Sequence, residues 1–300
     1  MTPAGPVWAP LLGFPLEWAA IALLTAGAIY WERAALSGIG IEGCVLSAML
    51  GLCLGYEWSG SYLVAALAGV GASLAFALTA SVLLLGFRSD PIVGSFCLSL
   101  IPAAALVLFS RAGPLRLLHE TPPPGLIHGT IFDGTYSEDL VLNPWLVAAP
   151  FVLALAALIM LKTPFGLRLR GYSESPALAR HGPWQVVRTR LWGALLGALW
   201  AAPAAGVLLR SDTEFPTLGL GYIALACAVA GRWAFVPGIL LAIGPALLRT
   251  ARPYVADDLA GTIALEAGPF LIAVFYLVFL SRRALRAATT SQSRLDPDVL

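Results

Sequence analysis

Long uncharged runs separated by short polar stretches set the pattern of this chain. The longest, 59–86, holds no charged residue at all. Others cover 11–31, interrupted only by Glu17, and 91–110, 143–161, 191–209 and 267–281. A helix needs about 20 apolar residues to cross ~30 Å of hydrocarbon, and most of these runs approach or exceed that length. Because the runs are continuous, and do not alternate in segments of about ten residues, they predict helices and exclude a barrel. With the weaker runs added, the pattern gives about nine crossings: 11–31, 41–57, 60–86, 91–110, 144–162, 191–210, 219–231, 234–249 and 264–281. The expected fold is all-α, a polytopic helical membrane protein forming a single transmembrane domain over 1–300.

Composition agrees. The chain is 59% hydrophobic and 12% charged, with a mean hydropathy of +0.83. That leaves too few polar residues to cover the surface of a soluble domain. The start, MTPAGPVWAP, lacks a basic region, and the first run ends in YWERAAL in place of a small-residue cleavage site, so it reads as a retained span. Cys44, Cys53, Cys97 and Cys227 all lie in apolar runs and read as small packing residues. No metal-ligand spacing is present, and His119, His128 and His181 are scattered over loops.

Charge sets the expected orientation. The densest basic regions are the segment 163–190, with Lys162 beside it, and the tail with Arg282, Arg283, Arg286 and Arg294. Both belong in the cytoplasm by the positive-inside bias. Four crossings separate them and five precede the first, which places the N-terminus outside and the C-terminus inside. Most of the 18 basic residues then fall inside, the exceptions being Arg111, Arg116, Arg210, Arg249 and Arg252. The loop 111–142, stiffened by TPPPG, becomes the main extracellular feature. The polar tail 284–300 is expected to be mobile.

Two segments are entered through Gly-x-Gly: SGIGIEG, containing Gly38, Gly40, Glu42 and Gly43, and LGLGYIA, containing Gly219, Gly221 and Tyr222. Five crossings separate them, an odd number, so the two halves are expected to have inverted topology. Glycine-interrupted segments in corresponding places of two halves point to a transport path at the repeat interface. Close helix packing is the competing reading. Glu42 sharpens the question, because a carboxylate near the start of a membrane segment is costly and seldom idle. It either lines a path or caps exposed amides beside Glu32 and Arg33.

The segment 163–190 carries five arginines and Glu174. Within it, Ser175 suits an N-cap and Pro176 the first helical position. Gly182 suits the left-handed C-terminal position, with Pro183 stopping continuation. A helix of roughly six residues, about 9 Å long, is too short to stand alone. It is either held by a partner that packs on it or is an ordinary basic loop facing lipid head groups.

The order of these motifs resembles the permease subunits of bacterial ABC importers, in the nucleoside and simple-sugar branch of the branched-chain-amino-acid/ribose-type permease family. An ER…IGxEG element is matched by Glu32, Arg33, Ile39, Gly40, Glu42 and Gly43. A T-x-F-G-L-x-x-R…P-x-A-A…G loop is matched in part by Thr163, Phe165, Gly166, Leu167, Arg170, Pro176, Ala177 and Gly182. A G-x-I-A-L-A…G-R-W…G-x-L element is matched from Gly221 to Ala226, then by Gly231, Arg232, Trp233, Gly238 and Leu240. The chain departs from the pattern at Gly38, where asparagine is usual, and at Leu220, where a basic residue is often found.

The resemblance implies an inverted-repeat importer permease in the bacterial inner membrane. It implies that 163–190 couples to a cytoplasmic ABC ATPase through Gly166, Arg170, Glu174, Ser175, Pro176, Ala177, Arg180 and Gly182. It also implies a second permease subunit, with a heterodimer favoured, and an extracytoplasmic solute-binding protein. The chain has no G-x-x-x-x-G-K-[ST] loop, so ATP is expected on a partner and no cofactor on this chain. The alternative is an ion-coupled secondary transporter, whose candidates Glu42, Glu57 and Glu266 sit near segment ends. An enzyme is not expected: HExxH, GxSxG and paired membrane aspartates are all missing.

Overall fold

The computed structural model describes residues 9–87, 89–112, 144–174, 183–208, 219–255 and, in part, 267–278. Every element there is helical: α1 (Ala9–Arg33), α2 (Gly40–Ser59), α3 (Tyr62–Gly86), α4 (Pro91–Ala112), α5 (Pro144–Lys162), α6 (Pro164–Glu174), α7 (Pro183–Leu208), α8 (Leu220–Ala230), α9 (Phe235–Leu241) and α10 (Ile243–Val255). Among the described residues five helices are long and apolar enough to cross a membrane, six if the bent pair α5–α6 counts as one. The expected segment at 219–231 is an apolar helix of only 11 residues, about 16 Å long and too short to cross alone. That at 234–249 is broken at Ala242. The loop 111–142, apart from its first residues, and the tail 284–300 lie outside the described residues.

The bundle has a core and a lipid face. About three quarters of each span is buried in α1, α2 and α7 (72%, 78% and 72%), against 28% in α3 and 22% in α4. The outward faces follow the helical period. Val147, Phe151, Leu155 and Leu158 form one exposed stripe on α5, and Leu63, Leu67, Leu78 and Val82 another on α3. Lipid is the natural solvent for such stripes.

Between the core helices the interfaces are small and polar-pinned, as membrane packing requires. A Cβ added at Gly27 would stand 2.9 Å from the Gly197 carbonyl oxygen, so α1 and α7 cross backbone to backbone there. Gly51, Gly55 and Gly69 do the same for α2 against α3. Side chains then tie helix to helix: Ser73 donates to Ala198 O at 2.9 Å, Tyr30 to Ala156 O at 2.7 Å and Trp31 Nε1 to Ala194 O at 3.1 Å. Trp31 is fully buried. It stacks near Phe76 and fills the space that Gly40 and Gly197 leave open.

Two contacts mark the ends of α1. At one end Glu17 pairs with Arg249 of α10 at 2.8 Å. At the other Arg33 donates to Ser173 of α6 at 3.1 Å. Glu17 and Arg33 lie roughly 24 Å apart along the axis at 1.5 Å per residue.

Candidate functional site

The two Gly-x-Gly stretches meet. Glu42, in the first turn of α2, points its carboxylate at the N-terminus of α8. Gly219 N–H donates to Oε1 at 2.8 Å and Gly221 N–H to Oε2 at 2.6 Å. The first turn of any helix presents amides with no intrahelical partner, and α8 has no side-chain cap of its own. Glu42 supplies that cap from 177 residues away. It is 2% exposed, and the negative carboxylate lies at the positive end of the α8 dipole.

Glycine is required on the α8 side for two reasons. Gly219 has φ +97, left-handed backbone that turns its amide and that of Gly221 toward one point. A Cβ at Gly221 would stand 2.6 Å from Glu42 Oε2 and 2.8 Å from its Cα, so the start of α8 rests directly on the α2 backbone.

The α2 side is built differently. The turn 34–39 is held by Gly38 N–H donating to Glu32 Oε2 at 2.9 Å and by Ser95 of α4 donating to Leu36 O at 2.8 Å. Gly40 and Gly43 are glycines because Trp31 and Phe76 occupy the space a side chain would need. Gly38, where the resembled family has asparagine, faces Leu225 and the Ala28 carbonyl, so a longer side chain would have to displace Leu225. Leu220, the other departure, is buried in the core.

Glu42 is deeper than its sequence position suggests. Its neighbours Ile41 and Gly38 face Gly27 and Ala28, between the two marked ends of α1. The carboxylate caps the start of α8, far along the chain, and not the amides beside Glu32 and Arg33. Tyr222, next in α8, is half-buried and faces Ser99 of α4. Ser95 and Ser99 went unread in the sequence. Their signal is a pair of serines four apart on one face of an otherwise apolar helix.

The basic segment contains a helix the sequence reading passed over. α6 leaves α5 at a 68° bend. Thr163 caps it, accepting from Gly166 N–H at 3.2 Å, and Pro164 takes the first helical position. Thr163–Pro164 thus carries the same kind of helix-start signal as Ser175–Pro176, which lies outside the described residues. Gly166 lets the new helix pass close to the carbonyls of Ile159 and Met160. Arg170 lies midway along α6, its Nε donating to Gly166 O at 3.4 Å, and Glu174 ends the helix. Leu169 is fully buried against Gly193 of α7 and Ala34 of α1. Ser175, Pro176, Ala177, Arg180 and Gly182 lie outside the described residues. Pro183 opens α7.

Beside α6 a polar cleft of about 500 Å³ opens at the foot of the α1–α2 turn, lined by Glu32, Ser37, Tyr172, Ser173 and Arg190 among others. No group of three or more His, Cys, Asp or Glu able to hold a metal occurs among the described residues.

Residues 14–252 match the family described as branched-chain amino acid transport system / permease component. The guanosine ABC transporter permease protein NupQ of Bacillus subtilis (strain 168) is similar: 28% identical over 241 residues, covering 73% of this chain and 74% of the relative. No solved structure matches. The apolar bundle, the glycine-marked half-helix and the matched span lead to one conclusion: the chain belongs to this permease family, as a multi-pass membrane subunit of an ATP-driven importer and not an enzyme.

Proposed function

We propose that this permease carries a nucleoside inward, and that it is driven through the segment 163–190 by a cytoplasmic ATPase. The solute class is supported by the guanosine permease to which the chain is similar. ATP is bound by the partner, and this chain needs no cofactor. A second, different permease subunit completes the path, and an extracytoplasmic binding protein delivers the solute. The N-terminus faces outward and the C-terminus the cytoplasm of a bacterial inner membrane.

The observation that carries the drive is the seating of α6. Leu169 packs on α1 and α7, and Arg33 ties the end of α1 to Ser173. A push on 163–190 therefore reaches the α1–α2 turn through packed side chains and one hydrogen bond. From there it reaches Glu42 and α8. By the family resemblance, Gly166, Arg170, Glu174, Ser175, Pro176, Ala177, Arg180 and Gly182 are the residues that couple this segment to the ATPase. The path runs past the α2–α8 contact on the side of Tyr222, and Gly38, Gly40, Glu42, Gly43, Gly219 and Gly221 form the packed contact that bounds it. An ion-coupled mechanism would use Glu42, and both oxygens of that carboxylate are engaged by backbone amides.

The test is co-purification in mild detergent from native membranes, comparing wild type with Glu174→Arg/Arg180→Glu. An ATPase retained by wild type and lost from the variant is the expected result. Absence of any ATPase from the wild-type preparation, with uptake persisting after ATP depletion, would overturn the reading.

A further inference from the structure

Alternating access needs parts that move and parts that do not, and the α2–α8 contact belongs to the second kind. We infer that Glu42 is a fixed joint: it binds the starts of α2 and α8 into one rigid unit that persists through the transport cycle, and the solute does not touch it. This rests on the importer reading and assigns Glu42 a positioning role within it.

Three observations carry the inference. First, both carboxylate oxygens are spent on amides at 2.8 and 2.6 Å, and the residue is 2% exposed. Separating the pair would leave a buried charge and two buried N–H groups with no acceptor, which is expensive in a low-dielectric interior. Second, the contact has two points. Beyond the carboxylate, Gly38 just before α2 packs on Leu225, more than a turn into α8, so the helices cannot pivot about Glu42 alone. Third, the non-glycine residues with positive φ lie outside the joint, at Ala35 and Ser37 before it and at Arg232 and Trp233 after it. These two turns flank a unit that is itself packed backbone to backbone. The polar cleft at the foot of the α1–α2 turn is lined by Glu32 and does not include Glu42.

A disulfide tests rigidity directly. A Cβ at Gly38 would stand 2.5 Å from Leu225 Cδ1, so Gly38→Cys with Leu225→Cys places two sulfurs within reach of a bond whose Cβ atoms lie about 3.8 Å apart. On a Cys97→Ala background the remaining native thiols are buried. The assembled complex is reconstituted in liposomes, and uptake of tritiated guanosine and ATP hydrolysis are measured before and after oxidation. The inference predicts that the cross-link forms and both rates stay within about twofold. A tenfold loss on oxidation that dithiothreitol restores would overturn it, as would failure of the cross-link to form.

Glu42→Gln gives a second readout. It keeps one acceptor oxygen and turns an NH2 donor toward an amide donor. The maximal rate should fall at least tenfold with KM within about twofold. A KM raised fivefold or more at an undiminished rate would make Glu42 a solute contact and end the proposal. The importer reading fails on a separate measurement, ATP-driven uptake by the wild-type complex, so the two failures are told apart.

Discussion

The two Gly-x-Gly helix starts look alike in sequence and solve opposite problems. At the α2 start the chain holds left-handed backbone without glycine, at Ala35 and Ser37 (φ 58 and 59), and spends Gly40 and Gly43 on room for Trp31 and Phe76. At the α8 start the left-handed residue is Gly219 itself, and Gly221 makes room for the backbone of α2. One start gives a carboxylate; the other gives two amides. A repeated motif need not repeat its chemistry, because the two copies here meet as partners.

The sharpest way to break this comparison is Glu42→Ala. It removes the shared cap, leaving two buried amides unsatisfied at about 1–3 kcal/mol each. The apparent melting temperature of the purified complex should drop by more than for any other single change in this region. A shift no larger than that of a lipid-facing substitution such as Leu155→Ala would mean the cap contributes little.

Gly40→Ala comes next. Its Cβ would meet the Trp31 ring, and overpacking of this kind costs about 1–3 kcal/mol. The Trp31 emission should change together with the melting temperature. An unchanged protein would show that the α2 start is loosely packed.

Smallest, and most diagnostic of the asymmetry, is the pair Gly219→Ala and Ser37→Gly. The first imposes left-handed strain of about 1–2 kcal/mol on a residue with a side chain. The second relieves comparable strain but adds unfolded-state freedom, so stability should move by no more than about 0.5 kcal/mol. Equal effects from the two would remove the distinction drawn here between the two starts.

How far the sequence was readable follows from which physics is local. Long apolar runs declare helices residue by residue, so α1 to α5 fall close to their expected limits. The importance of Glu42 was legible too, since a carboxylate in an apolar run is conspicuous. Its partner was not, because Gly219 and Gly221 lie 177 and 179 residues away, and no local rule links them. The burial of Trp31 was hidden for the same reason: the glycines that admit it, Gly40 and Gly197, belong to other helices. α6 was missed although its signal is local. Thr163–Pro164 follows an apolar run directly, and the eye assigns such residues to the end of the span, not to the start of a new helix.

The central claim is that ATP binding outside this chain drives solute through it by way of α6. The most direct measurement is uptake of tritiated guanosine into proteoliposomes holding the complete complex, with ATP supplied on the side of 163–190. Wild type should accumulate guanosine only with hydrolysable ATP. Leu169→Arg, which puts a charge where α6 seats on α1 and α7, should keep basal ATP hydrolysis and lose at least tenfold in uptake. Accumulation driven by an imposed proton or sodium gradient without ATP, or full uptake by Leu169→Arg, would contradict the account.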